Sequence, residues 1–293
     1  MSHRHAMIPL PRRGLAALGL LLTLSACGGG SGEIDHFVND TTEASLCVLY
    51  NCTESDTVVV GDISPTYVVT QSSGGQVHVA ARLGKTANLL TVVRPTKGDT
   101  LTASLGGQQS ELRNIDKYRM DYAVDFADGS AQPSVVVNFV RAGEAHASSV
   151  TMPAPFRILS PTGPINLGRQ SGFLWVRMDL AGDAPLSLQT ALSCVRADGS
   201  SFKGDTAVPS SYDANASGGP AWRVSTLDLD LALNNVGLGL GGSTPNKSPV
   251  QSCELDFNWL LSKAGKTAAT LSKYSSIRAE RSAGHHISYD ARL

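Results

Sequence analysis

From Thr57 onward the chain is a succession of short runs in which apolar and polar residues alternate or β-branched residues cluster, each closed by Gly, Pro, Asp or Ser. Successive side chains of a strand point to opposite faces, so a period of two predicts strands with one buried face. The runs cover 57–60, 67–71, 76–82, 89–93, 100–105, 111–113, 119–126, 134–141 and 148–152. Further along they cover 173–180, 186–196, 222–233, 250–261, 268–274 and 277–281, with a short last piece at 286–289. The alternation is cleanest in Cys253-Glu254-Leu255-Asp256-Phe257-Asn258-Trp259, where the odd positions are apolar. Leu227-Asp228-Leu229-Asp230-Leu231 repeats it. Asp128-Gly129 and Asp198-Gly199 lie between such runs and read as hairpin turns. Long amphipathic helical patterns are scarce, so the expected fold class is all-β.

Prolines divide the chain. Met152-Pro153-Ala154-Pro155 and Ser160-Pro161-Thr162-Gly163-Pro164 cannot lie in a central strand, which places a boundary near residue 160. Seven or more short strands with frequent turns on the N-terminal side resemble an immunoglobulin-like sandwich, and the C-terminal side carries the same texture. The expectation is two immunoglobulin-like β-sandwich domains, 57–159 and 160–293. The resemblance stops at the architecture: antibody-type domains carry Tyr two residues before their second Cys, and residue 251 is Gln. An Ala-Asp-Gly-Ser string recurs at 127–130 and 197–200 and reads as repeated turn chemistry rather than duplication.

The N-terminus has a different character. Arg4, Arg12 and Arg13 precede an apolar run from Gly14 to Ala26, with no acidic residue in between. A run of this length is far short of the about 20 residues a membrane-spanning helix needs, and it matches the apolar part of a signal peptide. It ends in Leu24-Ser25-Ala26-Cys27, which resembles the lipobox of bacterial lipoproteins. The resemblance implies that 1–26 is a lipoprotein signal peptide and that the Cys27 thiol takes a diacylglyceryl group. Cys27 would then be the acylated, palmitate-bearing first residue of the mature protein. Two or more acyl chains hold a protein to a bilayer where one is marginal. Residue 28 is Gly, where an Asp is associated with inner-membrane retention in enteric bacteria, so the expected location is the outer membrane, facing the periplasm or the cell surface. Gly28–Gly32 is a flexible tether, and 27–56 is expected to comprise that tether and a small disulfide loop.

Export agrees with the cysteines. Besides Cys27 there are Cys47, Cys52, Cys194 and Cys253, and an even number in an oxidising compartment suggests two disulfides. Three pairings exist; Cys47–Cys52 with Cys194–Cys253 keeps each pair within one region. The second pair is expected to link two strands across a sandwich core. Cys47-x4-Cys52 lacks zinc-site spacing.

Charge and motifs remove several functions. Of 24 Lys and Arg, three fall in the leader; against 25 Asp and Glu the mature chain is mildly acidic and has no basic block. Nucleic acid therefore has no electrostatic footing. Gly84-Lys85-Thr86 and Gly265-Lys266-Thr267 end like phosphate loops, but Val79 and Leu260 stand where the first Gly belongs. Both read as hairpin turns, with no nucleotide partner. No Gly-x-Ser-x-Gly elbow is present. The expectation is a protein that is not an enzyme and takes no cofactor.

A few residues carry candidate chemistry. On alternating strands, Asp228, Asp230, Glu254 and Asp256 would share one outer face and could hold calcium through oxygen; the plainer reading is a solvated acidic face. His285 and His286, adjacent in sequence, point to opposite faces of a strand and cannot chelate one metal; they read as part of a polar C-terminal tail. Of three tryptophans, Trp259 shares the apolar register of Cys253 and belongs in a core. Trp222, after the polar run 209–221, is the candidate for exposed ligand contact. That run and the Gly/Ser/Pro-rich 237–249 are loops where a ligand would be sought. The expected function is a non-catalytic cell-envelope lipoprotein with a structural or interaction role, partnered by the membrane through Cys27 and by an envelope protein or glycan. A carbohydrate- or calcium-dependent binding module is the alternative, and a periplasmic hydrolase the third reading.

Overall fold

The computed structural model describes Cys47 and residues 51–72, 74–116, 118–180, 184–236 and 248–293. Its strands, in chain order, are β1 (Cys52–Glu54), β2 (Ile63–Gln71), β3 (Gln76–Lys85), β4 (Asn88–Arg94), β5 (Thr100–Leu105), β6 (Gln108–Glu111), β7 (Arg113–Asp116), β8 (Asp121–Ala127), β9 (Ser134–Arg141) and β10 (Glu144–Thr151). They continue with β11 (Ile158–Ser160), β12 (Ile165–Gly168), β13 (Phe173–Met178), β14 (Leu186–Arg196), β15 (Ser201–Ala207), β16 (Ser211–Asp213) and β17 (Ala221–Ser225). Helix α1 (Thr226–Asn235) precedes β18 (Val250–Ala264) and β19 (Ser276–Asp290). The chain is mostly β, as its alternation requires.

Among the described residues the strands form three sheets. The largest has eleven strands along the path β1-β4-β3-β2-β19-β18-β14-β15, with β8 and β7 attached at β3 and β12 attached at β19. The second runs β10-β9-β5-β6 and the third β11-β13-β17-β16. Two hydrophobic clusters lie against the large sheet. In the first, Ile63, Tyr67, Val69 and Val79 of β2 and β3 are buried with Leu101, Ala103, Val137 and Phe139 of β5 and β9. In the second, Leu255, Phe257 and Trp259 of β18 and Ile287 and Tyr289 of β19 are buried with Val176, Val224, Leu229 and Leu233. Burying a side chain such as Phe257 contributes about 2 kcal/mol.

One strand serves both clusters. The inward residues of β19 are the odd ones: Ile277 and Ala279 belong to the first cluster, Ile287 and Tyr289 to the second. β18 pairs antiparallel with β19 from Arg278 to Asp290. Along its other edge β2 lies parallel over Ser276–Glu280 and β12 lies parallel over Ile287–Asp290. Between them, residues 281–286 have no strand neighbour on that edge among the described residues. The large sheet thus continues across residue 160, joining β2 from one side of it to β19 from the other.

Several local expectations need correction. Leu227–Leu231 is helical, not a strand. Ser225 caps α1 by accepting a hydrogen bond from the Asp228 amide at 3.3 Å. Leu229 and Leu233, four residues apart, turn inward, while Leu227 and Leu231 are exposed. Asp128-Gly129 does not close a hairpin, because β8 belongs to the large sheet and β9 to the second; Asp128 instead accepts from the Ser130 amide as the chain changes layers. Asp198-Gly199 does close the β14–β15 hairpin, with Gly199 at φ 82°, a left-handed conformation natural to glycine.

Residues 57–60 are not a strand: they run from the end of one short 3-10 turn, Ser55–Thr57, to the start of another, Val60–Asp62, and Arg141 donates to the carbonyls of Ser55 and Val58. Residues 268–274 are irregular, with the Ser272 amide donating to Ile63. Gly265-Lys266-Thr267 is not a turn either: Lys266 and Ser149 exchange backbone hydrogen bonds at 2.8 Å. The pieces at 277–281 and 286–289 are a single strand, so His285-His286 lies within β19 and not in a tail.

Both expected disulfides are present. Cys194 and Cys253, however, are directly opposed on neighbouring strands β14 and β18, with Cα atoms 4.1 Å apart. The bridge ties two strands of one sheet and does not cross the core, because both side chains leave the same face at the same register.

Candidate functional site

Paired strands with known register place polar side chains in rows. On the outer face of β18 and β19, Asp256 is opposite His286 and Glu254 is opposite Ser288. The imidazole of His286 lies between the two carboxylates. Its Nδ1 is 2.9 Å from Asp256 Oδ1 and its Nε2 is 2.9 Å from Glu254 Oε2. The Ser288 hydroxyl donates to the same Glu254 oxygen at 2.8 Å. A neutral imidazole donates from only one nitrogen, so two acceptors select the imidazolium. Hydrogen bonding to Asp256, then to Glu254, accordingly holds the His286 pKa above its ordinary value. All three side chains are more than half exposed, and solvent keeps such pairs weak. Ser288 is bonded to the carboxylate and not to the imidazole, so this row holds no nucleophile–base pair.

One residue earlier, His285 points to the other face, as adjacent strand residues must. Its ring lies 5.6 Å from that of Phe257. Neither ring nitrogen has a hydrogen-bond partner among the described residues, and burial pulls its pKa down.

The four carboxylates considered for calcium are divided. Glu254 and Asp256 share a face, with the imidazole already between them. Asp228 and Asp230 are on α1. Asp230 Oδ1 accepts from Tyr289 Oη at 2.6 Å and from Arg169 Nη2 at 3.0 Å. Because Tyr289 is an inward residue of β19, Asp230 lies on the opposite side of the sheet from Glu254. Asp228 borders a shallow cavity of about 490 Å³ shared with Asp205, Pro209, Leu231 and Asn235. Among the described residues no three His, Cys, Asp or Glu side chains are grouped to hold a metal ion.

The tryptophans are also sorted by register. Trp259 is fully buried, as expected. Trp222 is not an exposed contact: it is 5% accessible and packs in the second cluster, with the Tyr212 ring 5.0 Å away on the opposed position of β16. Its strand presents Trp222 and Val224 to the core. An outward-facing aromatic pair is found on β13 instead. There Phe173 is 46% accessible and its ring is 6.0 Å from that of Trp175, with the Arg223 guanidinium 5.1 Å over Phe173. The signal for this pair is the alternation itself: Leu174, Val176 and Met178 are buried, so 173 and 175 face outward. Cys27, the expected signal peptide 1–26, most of the expected tether and disulfide-loop segment 27–56, and residues 237–247 of the Gly/Ser/Pro-rich run lie outside the described residues.

No protein-family model matches the chain, and no curated protein matches it in sequence.

Proposed function

We propose that the chain is a non-catalytic lipoprotein of the bacterial cell envelope, anchored to the outer membrane by lipid on Cys27 and serving a structural or interaction role. The observation that carries the reading is Leu24-Ser25-Ala26-Cys27 behind an Arg-flanked apolar run. The Cys47–Cys52 and Cys194–Cys253 bridges support it, since such bonds persist in oxidising compartments. The two hydrophobic clusters support a division into two immunoglobulin-like sandwiches, 57–159 and 160–293, built on a shared sheet. Mass spectrometry of the mature N-terminus after expression in a bacterium tests the anchor. A diacylglyceryl-modified Cys27, lost in Cys27→Ala, is the expected result. An unmodified N-terminus at another residue overturns it.

A second reading is a carbohydrate-binding module, favoured by the outward Phe173–Trp175 pair beside Arg223. Flat aromatic faces stack on sugar rings, and guanidinium donors bond their hydroxyls. Retention of the wild type on insoluble peptidoglycan, and its loss in Trp175→Ala, would distinguish this reading. The calcium form of it rests on Glu254 and Asp256 alone.

A further inference from the structure

β19 alternates strictly between its faces, and its inward positions are Ile277, Ala279, Arg281, Ala283, His285, Ile287 and Tyr289. A cation therefore occupies a core-facing position, midway between the two hydrophobic clusters. It lies where β2 has ended at Gln71 and β12 has not begun. Arg281 is half-buried, and a partly desolvated charge is costly unless a counter-charge compensates it. Among the described residues no carboxylate pairs with Arg281. Its Nε donates to the Pro153 carbonyl at 2.7 Å, and its Nη2 donates to the Ala131 carbonyl and to Gln71 Oε1. These acceptors fix the guanidinium plane but leave its charge uncompensated, and among the described residues no hydrogen bond of Nη1 is found.

Arg281 lines a cavity of about 560 Å³, within the range of small-molecule sites. Ser72, Ser130 and the Ser282 segment line it as well, Ser72 and Ser130 with hydroxyl-bearing side chains, and Pro155 and Phe156 add an apolar side. A Cβ on Gly129, one of its lining residues, would meet no atom within 4 Å.

We propose that this cavity binds a small molecule bearing an oxyanion, carboxylate or phosphate, which supplies the missing counter-charge to Arg281 through Nη1 and accepts hydrogen bonds from the surrounding seryl hydroxyls. The guanidinium is held by carbonyls on three separate segments, the end of β2, the β8–β9 crossing and the linker after β10, so it is pre-positioned before a ligand arrives. Charge-assisted hydrogen bonds of this kind are about twice as strong as neutral ones. Desolvation lowers the pKa of Arg281 from its ordinary value, a shift that a bound anion would oppose. The inference goes beyond the anchoring role and is independent of it, because binding is measured whether or not Cys27 carries lipid.

The test is isothermal titration calorimetry on the full-length chain in detergent, at low ionic strength, with sodium phosphate in one arm and disodium succinate in the other. Saturable binding of at least one probe is expected, and the arm that responds identifies the oxyanion. Arg281→Gln, which keeps hydrogen-bond donors but removes the charge, is expected to weaken that binding at least tenfold. Gly129→Phe, which fills the cavity and leaves the Arg281 contacts in place, is expected to do the same. If neither probe binds the wild type at millimolar concentration, or a folded Arg281→Gln binds as the wild type does, the proposal is wrong. If Arg281→Gln loses the wild-type circular dichroism, Gly129→Phe decides, and unchanged affinity there also overturns the proposal.

Discussion

Tyr289 donates its phenolic hydroxyl to Asp230 at 2.6 Å, which fastens helix α1 to the inner face of the last strand. The ring is buried, and desolvation, followed by the hydrogen bond to Asp230, raises the phenol pKa above its ordinary value. Tyr289→Phe keeps the packing and removes a hydrogen bond to a charged acceptor, a change of about 1.5–3 kcal/mol. Urea unfolding is expected to show a loss of that order. Asp230→Ala is expected to lose more, because it also strips Arg169 of its partner. Two variants as stable as the wild type would show the contact to be idle.

Cys194 and Cys253 hold β14 to β18, and Cys47 is bonded to Cys52. With Cys27 acylated, denatured mature protein should expose no free thiol until a reductant is added, which a thiol-reactive dye reads directly. Replacing Cys194 and Cys253 together by Ala should lower stability by about 2–4 kcal/mol, the usual worth of a bridge closing a loop of this length.

His285 and His286 should titrate in opposite directions. The pKa of His286 is raised, so its contribution to stability is fully present below the unfolded value of about 6.5 and is lost as pH rises through the higher folded value. The pKa of His285 is lowered, so its contribution is present above that unfolded value and is lost as pH falls through the lower folded value. Two-dimensional NMR of the imidazole protons should resolve both midpoints on either side of the ordinary one. Asp256→Asn should move the His286 midpoint downward and leave that of His285 in place.

Gly265 tests the reinterpretation of the second Gly-Lys-Thr string. A Cβ there would lie 2.2 Å from the Ser149 carbonyl oxygen, a backbone atom that cannot step aside cheaply. Gly265→Ala should therefore destabilise the protein by several kcal/mol, beyond the ~1 kcal/mol typical of point changes. Gly163→Ala, whose new Cβ meets nothing within 4 Å, should leave the melting temperature nearly unchanged. Equal melting temperatures for the two variants would contradict the close backbone approach.

Alternation made the β class and most strands legible, because burial on one face of a strand writes itself directly into the sequence. It misled at 227–231, where leucines at every second position also include the pair 229 and 233, spaced four apart as one helical face requires. The cap at Ser225 was the available signal there, with Asp228 three residues on. Turn chemistry at Asp128-Gly129 indicated a change of direction but could not say that β8 and β9 enter different sheets. The disulfide pairs followed from spacing, whereas the carboxylate row did not. Its membership depends on which strands flank β18: they are β14 and β19, and β19 brings His286 between Glu254 and Asp256 in place of a second acidic strand. Arg281 was visible only as the end of an apparent short strand; its inward position emerges once 277–290 is read as one continuous strand.

The placement of β19 also orders events in time. Thr66 of β2 is joined to Ser276 of β19, roughly 200 residues later in the chain, and contacts so distant in sequence form slowly. A nascent chain delivered N-terminus first can build the β2–β3 hairpin early, yet one edge of β2 remains an unpaired template until the last strand arrives. Such edges invite pairing with other chains. The most vulnerable species of this protein is therefore not the finished fold but the nearly complete chain that lacks β19, and any factor that shields β2 during that interval would govern the yield of native protein.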